Sequence, residues 1–163
     1  MRSNDFIRIV RNGVIARTIV FDELVKDFIN KNPDCTVVNI ACGLDTRVYR
    51  MDNGRLTWYN LDLPETIAVR NQLYQEAGRI SCIGISVLDP AWAKAVKPNK
   101  KMLFIIEGLS MYLTAEQNAQ MLKIIHDNIL RGMRVLVPAQ KLIDWLPIAK
   151  KMTQKILVFE RES

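Results

Sequence analysis

The chain has 163 residues, is 49% hydrophobic and 25% charged, and contains three cysteines and one histidine. These proportions are those of one globular α/β-sized domain covering residues 1–163, and they exclude a disordered tail, a collagen-like repeat and a disulfide miniprotein. No run approaches the roughly 20 apolar residues of a membrane helix, and Arg2, Asn4, Asp5, Arg8 and Arg11 break up any signal-like start. A cytoplasmic chain with no membrane partner is expected.

Lys and Arg total 23 against 17 Asp and Glu, a net charge of +6. The basic residues are spread out, and no aromatics interleave with them as a base-stacking surface requires, so nucleic acid is not an expected partner. Cys35, Cys42 and Cys82 form no CxxC pair, and with His126 they make no zinc spacing. They read as free thiols, and His126 as structural.

In chain order, Ile15, Ile19, Val20, Leu24, Phe28 and Ile29 recur at helical spacing over 15–30, and the turn 30–34 ends that helix. Five apolar, β-branched runs follow at 36–41, 56–61, 80–85, 102–106 and 133–137. Continuous runs of this kind suit strands of a parallel sheet covered on both faces, and their spacing suits βαβ units. Pro64 opens a helix predicted over 64–78, with Gly78 as its stop. Thr114 and Gln117 form a capping box ahead of an inner stripe at Leu122, Ile125 and Ile129. A helical pattern over 142–152 contains Pro147, and 156–159 reads as one late strand. The predicted fold is α/β: a mostly parallel, Rossmann-like sheet flanked by helices, with room for the last strands of such a sheet to be lacking.

Ligands of open parallel sheets bind beyond the carboxyl ends of the strands, and here those ends carry polar or small residues. The first strand runs into Ala41-Cys42-Gly43, and Gly43 permits close backbone approach or a positive φ. A plain strand-to-helix turn is the alternative. Asp62 ends the second strand and fits the hydroxyls of a ribose, or else caps the helix at Pro64. Ser86, Val87 and Asp89 follow the third strand, where a polar group reads an adenine edge, or Asp89 forms a turn. Glu107 follows five apolar residues, and a carboxylate there calls for a cavity and a cationic partner. Arg17 on the preceding helix is a candidate for that partner, or an ordinary surface arginine. GxGxxG is absent, its glycine positions reading Ala41, Gly43 and Thr46. Without the tight amide nest for a pyrophosphate, the pattern favours an adenosine cofactor lacking phosphates, S-adenosyl-L-methionine.

The segment Val37-Val38-Asn39-Ile40-Ala41-Cys42-Gly43-Leu44-Asp45-Thr46-Arg47 resembles the first motif of the leucine carboxyl methyltransferase family, which includes tetracenomycin polyketide O-methyltransferase-like enzymes. Residues 58–65 resemble its second motif, residues 106–113 its fourth, and Ala16-Arg17-Thr18 with Phe21-Asp22 the preceding helix. The resemblance implies a class I methyltransferase fold binding S-adenosyl-L-methionine. By it, Arg17 pairs with the methionyl carboxylate, Ala41 to Gly43 pass beneath the methionine portion, and Asp62 holds the ribose. Ser86 and Val87 border the adenine, and Glu107 faces the methionyl amino end. The family usually has glycine where Ala41 stands, and its eukaryotic members often have aspartate where Ser86 stands.

The implied reaction is O-methylation of a small-molecule or peptide-carboxylate acceptor. A carboxylate needs no general base, and no residue is assigned as catalytic; Tyr112 lies near the implied cofactor or serves as a packing aromatic. Relative to the family the chain reads as shortened at both ends. That carries a rival expectation of a truncated, non-catalytic remnant with weak cofactor binding, and of self-association through an uncovered sheet edge. A nicotinamide-dependent oxidoreductase is the third reading, disfavoured by the missing GxGxxG.

Overall fold

A computed structural model describes residues 3–129, 133–136 and 155–161. The helical pattern predicted over 142–152 lies outside the described residues.

The elements are α1 (Ser3–Lys31), β1 (Thr36–Ile40), α2 (Arg47–Met51), β2 (Thr57–Asp62), α3 (Pro64–Leu73), β3 (Ile80–Gly84), a 3-10 turn (Pro90–Lys94), β4 (Lys101–Ile106), α4 (Ala115–Asn128), β5 (Met133–Leu136) and β6 (Lys155–Arg161). The sheet runs β3-β2-β1-β4-β6-β5. The first four of these strands are parallel, with Asn39 beside both Asn60 and Ile105. This is the Rossmann-like arrangement expected from the apolar runs. The late strand β6 pairs antiparallel with β4 and with β5, so it separates the two.

The continuous apolar runs have a simple cause: both faces of the sheet are covered. Val37, Trp58, Leu103 and Ile105 pack with Phe21, Val25 and Ile29 of α1. Their alternating neighbours Val38, Ile40, Tyr59, Leu61, Phe104 and Ile106 pack with Met121, Ile124 and Ile125 of α4 and with Trp92 of the 3-10 turn. The α4 stripe is thus centred about one position away from that expected. Ile125 and Ile129 are buried, but Met121 and Ile124 complete the face and Leu122 is only half-buried. The capping box is present, with Thr114 Oγ1 accepting from Gln117 N and Gln117 Oε1 accepting from Thr114 N.

Helix α3 ends at Leu73, short of the predicted Gly78. Tyr74 is already extended (φ −129°, ψ 135°), which lets the chain turn Glu76 inward onto Arg70. That buried ion pair outweighs the helical propensity of 74–77. Among the described residues no helix is long and apolar enough to cross a membrane.

Candidate functional site

Chain order and strand order diverge at β1. From there the chain builds outward through β2 and β3, then returns to place β4 on the other side. In open α/β sheets the crevice at such a switch point, beyond the carboxyl ends, is where ligands bind. The turn after β1 and the turn after β4 flank it.

The first of these turns is unusual in its backbone. Ala41 (φ 54°) and Gly43 (φ 51°) both adopt the left-handed region. Glycine does so without steric cost, whereas alanine carries a penalty of about 1–2 kcal/mol. A Cβ at Gly43 would meet nothing within 4 Å beyond its chain neighbours, and the same holds at Gly108 (φ 71°) after β4. Open space therefore lies beside both turns that flank the crevice.

Asp62 is the last residue of β2, the strand paired with β1. Its Oδ2 accepts from Gly43 N at 2.7 Å and its Oδ1 from Leu63 N at 2.7 Å. It does not cap α3; Leu63 occupies the cap position with no side-chain bond. A carboxylate has about four acceptor sites, so two remain on Asp62 for hydroxyl donors. The turn is thus joined to the carboxylate that the sequence singled out.

Glu107 has a cationic partner in Arg47, the last residue of the first motif, to which the sequence alone assigns no role. Arg47 Nη2 donates to Glu107 Oε2 at 2.9 Å, Nη1 to Asp45 Oδ2 at 2.8 Å and Nε to Asp22 Oδ1 at 2.6 Å. The Arg47 side chain is 3% exposed. Burial alone would favour its neutral form, but Asp45, Asp22 and Glu107 outweigh it and raise the guanidinium pKa further. Arg17 falls within α1, and its side chain lies outside the described residues.

Ser86 and Val87 follow the end of β3 on the same sheet edge. Ser86 Oγ accepts from Leu88 N at 3.3 Å, and Val87 packs half-buried on the α4-side core while its carbonyl accepts from Trp92 Nε1. Asp89 serves the turn, its Oδ1 accepting from Ala91 N at the head of the 3-10 turn. Tyr112 is not a packing aromatic: it is 79% exposed, on the segment after Glu107. His126 is exposed beside Asp127 and holds no core position. The thiols are free, and burial pushes Cys42 up to about 12, so it is no activated nucleophile. No group of metal-ligating side chains occurs among the described residues.

Three further polar residues behind the crevice turn stand out only in the structure. Asn39, Asn60 and Cys82 share one register row across β1, β2 and β3. Asn39 Nδ2 donates to Asp45, while Asn60 and Cys82 donate to Glu76. Arg70 holds the carbonyls of Gly43 and Asp45 in the crevice turn, and Glu76, itself held by Asn60, holds Arg70. The sequence signal of Asn39, Asn60 and Cys82 is a polar residue in the middle of each of the first three apolar runs, since a buried polar group needs a partner.

The family model for leucine carboxyl methyltransferase matches residues 2–126. This chain belongs to that family. The chain is 35% identical over 125 residues to the tetracenomycin polyketide synthesis O-methyltransferase TcmP of Streptomyces glaucescens, a match covering 73% of this chain and 46% of that protein. It is 30% identical over 120 residues to the S-adenosyl-L-methionine-dependent methyltransferase dpfgK of Gibberella zeae, covering 68% and 40%. A putative S-adenosyl-L-methionine-dependent methyltransferase of Mycolicibacterium gilvum is 29% identical over 160 residues, covering 88% and 52%. The chain therefore spans about half the length of the curated relatives it matches.

Proposed function

We propose that this chain binds S-adenosyl-L-methionine at the β1–β4 crevice and directs methyl transfer to a carboxylate or hydroxyl oxygen of a small-molecule or peptide acceptor. The observation that carries the reading is the 2.7 Å contact between Gly43 N and Asp62 Oδ2. It joins a left-handed turn at the end of β1 to a carboxylate at the end of β2, and that carboxylate keeps acceptor sites for a ribose. The open space beside Gly43 and Gly108 fits a ligand laid along the crevice.

In this reading Asp62 accepts from the ribose hydroxyls, and Ala41 to Gly43 support the methionine portion without a long side chain in the way. Ser86 and Val87 border the adenine from the end of β3. Glu107, oriented by Arg47, takes the methionyl ammonium, and Arg17 takes the methionyl carboxylate. When bound, the cofactor supplies a sulfonium methyl whose carbon–sulfur bond breaks, leaving its electron pair on sulfur, as the acceptor oxygen forms the new bond. The chain's own contribution is alignment. An ionised carboxylate acceptor requires no base from the protein. Tyr112, exposed on the segment after Glu107, is available to an approaching acceptor in this reading.

Calorimetry with S-adenosyl-L-methionine and S-adenosylhomocysteine tests the binding half. Saturable heat that Asp62→Ala abolishes supports it, and no heat with millimolar ligand overturns it. Transfer of labelled methyl to a panel of carboxylates and phenols tests the reaction. Binding without transfer to any of them favours the cofactor-binding, non-catalytic reading.

A further inference from the structure

We propose that Arg70 is a positioning residue for the cofactor turn, a role that rests on the cofactor reading above. Arg70 is 0% exposed on α3, and its guanidinium is divided between two tasks. Its Nε and Nη2 donate to Glu76 at 2.9 and 2.6 Å. Its Nη1 donates to the backbone carbonyls of Gly43 and Asp45 at 3.0 and 2.9 Å.

The Glu76 end of the pair is itself held from three sides. Asn60 Nδ2 donates to both of its oxygens at 3.2 and 3.1 Å, Tyr49 Oη donates at 2.7 Å and Cys82 Sγ at 2.9 Å. Trp58 Nε1 in turn donates to Asn60 Oδ1 at 2.9 Å. The guanidinium thus stands in one orientation, set by β2, β3 and α2, and presents Nη1 to the turn from that rigid base.

The consequence is at Gly43. Its N–H is held by Asp62 and its C=O by Arg70. Both peptide groups around a residue at φ 51° are thereby fixed. A glycine is free to rotate these peptides, and nothing in its own chemistry selects the left-handed state. Because a trans peptide aims its N–H opposite its C=O, holding the carbonyls of Gly43 and Asp45 on Arg70 also aims the N–H groups of Leu44 and Thr46 away from it. A flipped 43–44 peptide would turn its carbonyl away from Arg70. Arg70 therefore sets the carbonyl side of the turn that supports the methionine portion, while Asp62 holds its N–H side and keeps its remaining acceptor sites for the ribose.

Lysine at 70 keeps the charge but cannot serve Glu76 through two donors and both carbonyls at once. The test compares wild type, Arg70→Lys and Glu76→Gln by calorimetry against S-adenosylhomocysteine and methylthioadenosine, which lacks the amino-acid tail. The expected result for Arg70→Lys is a loss of about tenfold or more in S-adenosylhomocysteine affinity, with methylthioadenosine unchanged within about twofold. Faster amide hydrogen exchange at 43–47 than in β1 accompanies it in the ligand-free chain. Glu76→Gln, which keeps volume and an acceptor for Arg70, shifts both readouts in the same direction by less and decides the matter if Arg70→Lys does not fold. Equal weakening of the two ligands, or no weakening, overturns the positioning role while leaving the cofactor reading intact. A wild-type chain that binds neither ligand overturns the cofactor reading and this role with it.

Discussion

Arg47 and Glu107 stand 60 residues apart in the chain, yet Arg47 Nη2 lies 2.9 Å from Glu107 Oε2. The pair spans the switch point, tying the turn after β1 to the end of β4. Asp22 of α1 binds the same guanidinium at 2.6 Å, so three segments of the chain meet on one buried cation.

Removing that cation leaves three carboxylates, Asp22, Asp45 and Glu107, around an apolar side chain, although Arg50 still pairs with Asp22. Arg47→Met is expected to destabilise the fold by about 3–5 kcal/mol. Urea denaturation of the purified variant measures it, and a change below about 1 kcal/mol would show the cluster to be solvated rather than buried.

Acid stability should report on Glu76. Burial pushes its pKa up, but hydrogen bonds from Arg70, Cys82 and Tyr49 outweigh this and hold it at about 2, against an ordinary 4.5. A group depressed on folding contributes stability that is complete above its unfolded pKa and lost as pH falls toward its folded one. The wild-type urea midpoint should therefore fall steeply from pH 4.5 toward pH 2. Glu76→Gln, already lower at neutral pH, should show a shallower fall over the same interval.

Ala41 occupies a backbone region suited to glycine, at φ 54°. Relief of that strain is partly offset by the larger unfolded-state entropy of glycine. Ala41→Gly is accordingly expected to stabilise the chain by about 0.5–1 kcal/mol, seen as a higher Tm in calorimetric scans. A lower Tm would show that the alanine methyl contributes packing that offsets its strain.

Asp62→Asn separates the two duties of that side chain. The amide oxygen can still accept from Gly43 N, but the amide nitrogen then faces Leu63 N and that bond is lost, so stability should fall by about 1–2 kcal/mol. Binding of S-adenosylhomocysteine should weaken about tenfold or more, because hydrogen bonds to a charged acceptor are the stronger ones. Thermal scans with and without ligand read both quantities on one sample.

Much of this was legible from residue types alone. The runs at 36–41, 56–61, 80–85 and 102–106 announce strands buried on both faces, because solvent-facing strands would alternate. Thr114 and Gln117 announce the start of α4, because capping is a local bond between residues three apart. Asp62 and Glu107 stand out because each carboxylate closes an apolar strand. The end of α3 was not legible, because Gly78 is a plausible local stop and the reason for the earlier one is Glu76 turning to Arg70.

The sequence by itself determined the parallel sheet, its buried faces, the family and which strand ends carry polar groups, since these follow from local pattern and short-range spacing. Only the tertiary structure decided who pairs with whom at those ends. It put Arg47 against Glu107, Asp62 on Gly43 N, and Arg70 on the carbonyls of Gly43 and Asp45. It also placed β6 between β4 and β5. The reason is physical: a buried charge or backbone group must be satisfied, but its partner is selected by the three-dimensional meeting of segments far apart in sequence, which no local period encodes.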